Sequence, residues 1–170
     1  MALKEFKKIL VPTDYSEMSL AALDYALTFS QMFGAQIYLF HTLDTIPVLS
    51  LESMDLTTES VIYETEQNAK SDLHDFRLSR IGEIPNLVEL VRKGIAEDEI
   101  VKLAREENFD LIIMATHGRS GIAHVLMGSV AEKVVQRSPA PVLTVKPGFR
   151  NASASIVEGV AQYHEFERSQ

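Results

Sequence analysis

Apolar residues in this chain come in two patterns. Some form short unbroken runs, and others recur at helical spacing between the runs. The runs lie at residues 8–11 (Lys-Ile-Leu-Val), 36–41 (Gln-Ile-Tyr-Leu-Phe-His), 87–91, 109–115 and 142–145. Each is too short for a buried helix and is bounded by glycine, proline or polar residues, so each reads as a buried strand. Between the first two runs, Ala22, Leu23, Ala26, Leu27, Ser30 and Phe33 share one helical face, and Gly34 stands where a helix would stop. Residues 59–80 carry Ile62, Ala69, Leu73 and Phe76 on one face. The charged positions Glu64, Lys70, Asp75 and Arg77 read as a solvated opposite face, and Gly82 and Pro85 end the helix.

After Gly94, Glu97-Asp98-Glu99 opens a helix with acids in its first turn, as the helix dipole favours, and Ile100, Leu103 and Ala104 line its inner side. Val130, Ala131, Val134 and Val135 form the apolar face of a fourth helix, broken by Pro139-Ala140-Pro141. Residues 44–58, with Pro47 and little periodicity, read as a loop.

Strands that alternate with helices, each strand apolar on both faces, predict an α/β fold with a doubly wound five-stranded parallel sheet. In such sheets a ligand sits beyond the carboxyl ends of the strands, where the winding reverses. The first and fourth strands are the natural pair to flank that crevice. One ends in Thr13-Asp14, the other in a loop from Thr116 to Gly121.

The fourth strand carries the densest chemistry. Asp110-Leu111-Ile112-Ile113-Met114-Ala115 runs into Thr116-His117-Gly118-Arg119-Ser120-Gly121, and the loop returns at Gly128-Ser129 into the fourth helix. A strand, a glycine loop and a helix N-terminus together hold phosphate, because the helix end presents backbone N–H groups and the positive end of its dipole. Asp14 can accept hydrogen bonds from ligand hydroxyls, and Ser129 can donate to phosphate oxygens. Both also fit structural roles: Asp14 as the cap of the first helix, and Ser129 with Glu132 as an S-x-x-E capping box. His41 and His117 fall near the crevice rim. Without a third ligand at set spacing, they are better read as hydrogen-bonding residues than as a metal site.

Other chemistries find no support in the residues. There is no G-x-x-x-x-G-K-[ST] phosphate loop. No G-x-S-x-G nucleophile elbow appears, and the first strand–helix turn lacks the glycines of a dinucleotide fingerprint. No catalytic residue stands out, so any hydrolysis of a bound nucleotide is expected to be slow. The chain has no cysteine, which removes disulfides, thiolate metal sites and cysteine nucleophiles. A net charge of −8 argues against nucleic acid and anionic membranes as partners. The absence of a long apolar segment or a signal-peptide pattern leads to an expected cytoplasmic location.

These motifs identify a family likeness. The chain resembles universal stress proteins of the ATP-binding kind. The likeness rests on Ile9-Leu10-Val11-Pro12-Thr13-Asp14-Tyr15-Ser16, on residues 110–114, on Gly128-Ser129-Val130-Ala131-Glu132-Lys133-Val134 and on residues 139–145. It covers residues 7–146. The family's nucleotide motif is Gly, two residues, Gly, nine residues, Gly, then Ser or Thr. Gly118, Gly128 and Ser129 match it, and Ala115 stands at the first glycine position.

The resemblance implies a Rossmann-like, adenine nucleotide alpha hydrolase-like sheet of strand order 3-2-1-4-5. It implies a ligand of ATP, ADP or AMP, with or without Mg2+. Pro12, Thr13 and Asp14 would lie on the adenine and ribose side, Thr42 at the adenine edge, and Met114 and Ala115 by the ribose. Gly118, Gly128, Ser129 and Val130 would meet the phosphates, with Arg119 within reach of a terminal phosphate. It further implies a homodimer through strand 142–145 and a regulatory protein partner. Residues 1–147 would form the stress-protein domain. Residues 148–170 would be a C-terminal extension, a linker followed by Ile156, Val160 and Tyr163 at helical spacing.

Overall fold

Alternation along each strand decides which layer a side chain joins, since successive residues point to opposite faces of a sheet. A computed structural model of the protein describes residues 5–44, 58–117 and 127–146. Among these, five strands form one sheet: β1 (Lys8–Pro12), β2 (Gln36–Leu43), β3 (Leu87–Lys93), β4 (Leu111–Ala115) and β5 (Val142–Val145). Four helices accompany them: α1 (Glu17–Phe33), α2 (Thr58–Ile81), α3 (Ala96–Glu106) and α4 (Ser129–Arg137). The sheet is parallel, in the order β3-β2-β1-β4-β5, as expected. Ile9 of β1 faces Ile37 on one side and Leu111 on the other.

The core divides at the sheet. Ile9, Val11, Ile37, Leu39 and Ile113 pack with Ala22, Leu23 and Ala26 of α1 and Leu73 of α2. Leu10, Phe40, Ile112 and Met114 pack on the other face with Ile100 and Leu103 of α3 and Ala131 and Val134 of α4. Moving one residue along a strand therefore exchanges layers, which is why these central runs had to be apolar throughout. Gly34 closes α1 as expected. Its φ of 67° is left-handed, and its N–H donates to the Ser30 carbonyl at 2.8 Å.

β2 and β3 run past their apolar cores, to Leu43 and Lys93, because each pairs with the other over that added length, Thr42 against Arg92 and Leu43 against Lys93. Two expected faces are narrower than the pattern implied. Val135 is 45% exposed and Phe33 44% exposed, because a helix lying on one sheet face covers only its central stripe. Arg77 corrects the sequence reading in the opposite sense. It is buried, at 7% exposure, and not part of a solvated face. Its Nε is hydrogen-bonded to Glu89 of β3, and its Nη1 donates to the Gly82 carbonyl at 2.8 Å.

Candidate functional site at the carboxyl end of the sheet

At the exit of β1 the chain has no glycine to help it turn, and the turn is built from side-chain hydrogen bonds. Thr13 is buried, and its hydroxyl shares a 2.8 Å hydrogen bond with that of Ser19. The Tyr15 N–H donates to Thr13 Oγ1 at 3.1 Å. Asp14 Oδ1 accepts from the Ser16 N–H at 3.1 Å and from the Ser16 hydroxyl at 2.6 Å. Ser16, not Asp14, is the cap of α1, its side chain accepting from the Ser19 N–H. The capping role open to Asp14 in the sequence therefore falls to Ser16, and the carboxylate instead braces the cap residue. His41 Nδ1 lies 2.8 Å from the Thr13 carbonyl. A carbonyl only accepts, so Nδ1 carries a proton here.

The opposite wall comes from β4 and α4. Thr116 follows β4, and its carbonyl accepts from the Gly128 N–H at 2.6 Å. A Cβ built on Gly128 would meet that same carbonyl oxygen at 3.1 Å and the His117 Cα at 3.7 Å. Gly128 thus needs no left-handed backbone; what it supplies is room for two chain segments to touch. It is also the N-cap of α4, with no side-chain cap bond. The capping box of Ser129 and Glu132 is not formed. Ser129 is the first helical residue, and the Glu132 N–H donates to the Gly128 carbonyl at 2.9 Å. The first N–H groups of a helix have no carbonyl within it to bond, so those of Ser129 and Val130 open α4 towards the cleft.

Between the walls lies a cleft of about 350 Å3. Pro12, Thr13, Asp14 and Thr42 line it from β1 and β2; Met114, Ala115, Gly128, Ser129 and Val130 line it from β4 and α4. The remaining two candidates, Gly118 and Arg119, lie outside the described residues, as does Gly121. The cleft also takes in His41 and His117, expected at the rim, and Ser19, Phe40, Thr116 and Ala131. Ala96 and Ile100 of α3 join it too. Their signal was the helix start after Gly94, since each helix that follows a strand of a parallel sheet begins beside that strand's carboxyl end. Among the described residues no group of three His, Asp or Glu could hold a metal ion, and no helix is long and apolar enough to cross a membrane.

Two ion pairs lock the helices whose N-termini flank the cleft. Lys133 Nζ of α4 lies 2.5 Å from Glu97 Oε1 of α3, and Arg137 Nη1 lies 2.7 Å from Asp98 Oδ1. The hydrogen bond from Lys133, helped by a backbone N–H, holds the Glu97 carboxyl below its usual range. A depressed carboxylate contributes stability above its unfolded value, near 4.5, and loses that contribution as pH falls through the folded one. Lys133→Met is therefore expected to be less stable than wild type at neutral pH. The gap should close on acidification into and below the carboxylate range, as read by urea unfolding at a series of pH values. A pH-independent gap would assign the effect to packing.

Comparison with known proteins places this architecture. The family model of the Universal stress protein family matches residues 5–146. Universal stress protein MJ0531 of Methanocaldococcus jannaschii is 33% identical over 147 residues, covering 83% of this chain and 82% of that protein. Universal stress protein MJ0577 of the same organism is 31% identical over 154 residues, covering 83% and 95%. The solved structure of MJ0577 superposes with a TM-score of 0.71, covering 88% of this chain and all of that one. A solved universal stress protein in complex with cAMP is 25% identical, with a TM-score of 0.56 over 84% of this chain and 98% of that one. With the family model spanning β1 to β5 and relatives matching along most of their length, this chain belongs to the universal stress protein family.

Proposed function

We propose that this protein is a cytoplasmic stress-response module that binds ATP, ADP or AMP between the carboxyl ends of β1 and β4 and regulates a protein partner according to its nucleotide state. The observation that carries this reading is the start of α4. It has no side-chain cap, it faces a cleft, and an acidic residue, Asp14, lies on the facing wall. The N–H groups of Ser129 and Val130 and the Ser129 hydroxyl suit phosphate oxygens. Asp14 suits ribose hydroxyls, with Pro12, Thr13 and Thr42 on the base side and Met114 and Ala115 by the sugar. Gly118 and Arg119 complete the assignment from the loop.

A cleft of about 350 Å3 falls in the range of about 300–1,000 Å3 usual for small-molecule sites. The cAMP complex of a 25% identical family member supports an adenine ligand of this general kind. Mg2+ would arrive on the phosphates and keep most of its waters, as it commonly does. Two other readings remain in the same family: a stress protein that acts through its dimer surface without nucleotide, and a slow ATP hydrolase.

Denaturing freshly purified protein and identifying the released small molecule by chromatography and mass separates these readings. Stoichiometric adenine nucleotide is expected. An empty protein that also gives no heat on titration with Mg·ATP would select the reading without nucleotide. We assign assembly to β5, whose one strand neighbour among the described residues is β4. An apolar edge of this kind invites pairing with a second copy. Sedimentation of the same sample should show a dimer, and a monomer at micromolar protein would remove that assignment. Residues 148–170 are assigned as an extension outside the stress-protein domain.

A further inference from the structure

Tyr15 breaks a backbone rule. Its φ is 66°, a left-handed conformation that non-glycine residues adopt only when their surroundings impose it. The surroundings here are specific. The Tyr15 ring stacks on the His41 ring with centroids 4.2 Å apart and planes 28° from parallel. The same ring meets Phe76 of α2 edge-on, with centroids 5.3 Å apart, and its hydroxyl reaches the Ala69 carbonyl of α2 at 3.5 Å. His41 in turn donates to the Thr13 carbonyl, and the Tyr15 N–H donates to the Thr13 hydroxyl. Tyr15 therefore stands between a wall of the cleft and a helix that contributes no described residue to that cleft.

We propose that Tyr15 is a positioning residue of the ligand site: wedged between His41 and α2, it holds Thr13 and Asp14 in place and makes ligand affinity depend on how α2 packs. This rests on the nucleotide reading of the cleft. The left-handed turn at Tyr15 sets the direction in which the chain leaves Asp14 for α1, and so brings the Ser16 N–H and hydroxyl back onto the Asp14 carboxylate. Without the ring, the hydrogen bonds of the turn alone must hold the unfavourable φ, so the turn loosens and carries Thr13 and Asp14 with it. Phe76 acts at one further remove, because it meets the Tyr15 ring and is not among the residues that line the cleft.

The test is a double-mutant cycle read by calorimetric titration of the full chain with ATP. Tyr15→Ala should lose about tenfold in affinity, and Phe76→Ala about threefold, with the double variant no weaker than Tyr15→Ala alone, because residues acting through one contact are not additive. Tyr15→Phe keeps both ring contacts and should restore most of the affinity, which a need for the hydroxyl would not allow. Wild-type affinity in Tyr15→Ala, or full additivity with Phe76→Ala, overturns the proposal. Should Tyr15→Ala fail to fold, hydrogen exchange on the wild-type protein decides. Saturating ATP should slow exchange in the α2 backbone around residues 69–76, and unchanged exchange there overturns it. Wild-type protein that binds no ATP in this titration refutes the nucleotide reading itself, and the proposal with it, a result distinct from either failure above.

Discussion

Gly128→Glu is expected to lower ATP affinity by about a hundredfold or more, in a protein that still unfolds cooperatively. Two effects act at this position. Any Cβ meets the Thr116 carbonyl oxygen at 3.1 Å, closer than such atoms normally approach, so the base of the 116–128 loop must open slightly. The carboxylate then sits at the N-terminus of α4, where a negative charge suits the helix. Relative to glycine it returns about 0.3–1 kcal/mol of helix stability, which is why the fold should survive. That favourable place is the one proposed for a phosphate. A resident carboxylate repels a second anion and takes its donors. Losing two charge-assisted hydrogen bonds, at about 1.5–3 kcal/mol each, removes more than the roughly 2.7 kcal/mol that a hundredfold represents. Gly128→Ala separates the terms, since it adds crowding without charge and should cost about tenfold or less. Calorimetric titration reads both variants. Wild-type affinity in Gly128→Glu would exclude the start of α4 as the phosphate site.

The sheet was legible because its central strands are buried on both faces. Residues such as Ile9-Leu10-Val11 and Ile112-Ile113 then have no polar positions to blur the pattern, and Gly34 marked a helix end by local chemistry alone. The site was legible where the chemistry is also local: Asp14 after one strand, Gly128-Ser129 after another. What escaped the sequence depends on contacts between distant segments. Ser129-Val130-Ala131-Glu132 matches a capping box, yet the helix starts one residue earlier than that box requires. Its register is set by the Gly128 N–H held on the Thr116 carbonyl. Ala96 and Ile100 enter the cleft because α3 is tied to α4 by Glu97–Lys133 and Asp98–Arg137, pairings between helices that no window of sequence contains. Tyr15 carries no local sign of its left-handed backbone, since tyrosine ordinarily argues against one.

Arg77 shows the same limit with an energetic consequence, and Arg77→Ala is expected to lower unfolding free energy by about 2–4 kcal/mol. Helical spacing put Arg77 beside exposed charges. The structure instead buries it between α2 and β3, where its guanidinium bonds two acceptors and lies near a second carboxylate. Nε bonds Glu89 of β3; Nη1 donates to the carbonyl of Gly82, just past the helix end, and lies 3.7 Å from Glu83. The side chain thereby closes the last turn of its own helix and pins that turn to an edge strand. This matters because the buried residues of α2 are few: Ala69, Leu73 and Arg77. Truncation leaves Glu89, whose side chain is only 24% exposed, without its guanidinium partner, though the His74 Nδ1 stays 3.2 Å from it, and takes from the Gly82 carbonyl the donor that Nη1 supplies. Fully buried pairs cost about 3–5 kcal/mol when one partner is removed, and the partial exposure of Glu89 sets the lower figure used here. Lysine carries the charge but not the fork, and cannot reach strand, helix end and Glu83 in one geometry, so Arg77→Lys should recover about half the loss at most. Urea unfolding would show the loss as a lower midpoint at unchanged slope. Faster hydrogen exchange confined to α2 would locate it. A loss below about 1 kcal/mol would mean that water replaces the guanidinium at Glu89 and Gly82, as it does at exposed ion pairs.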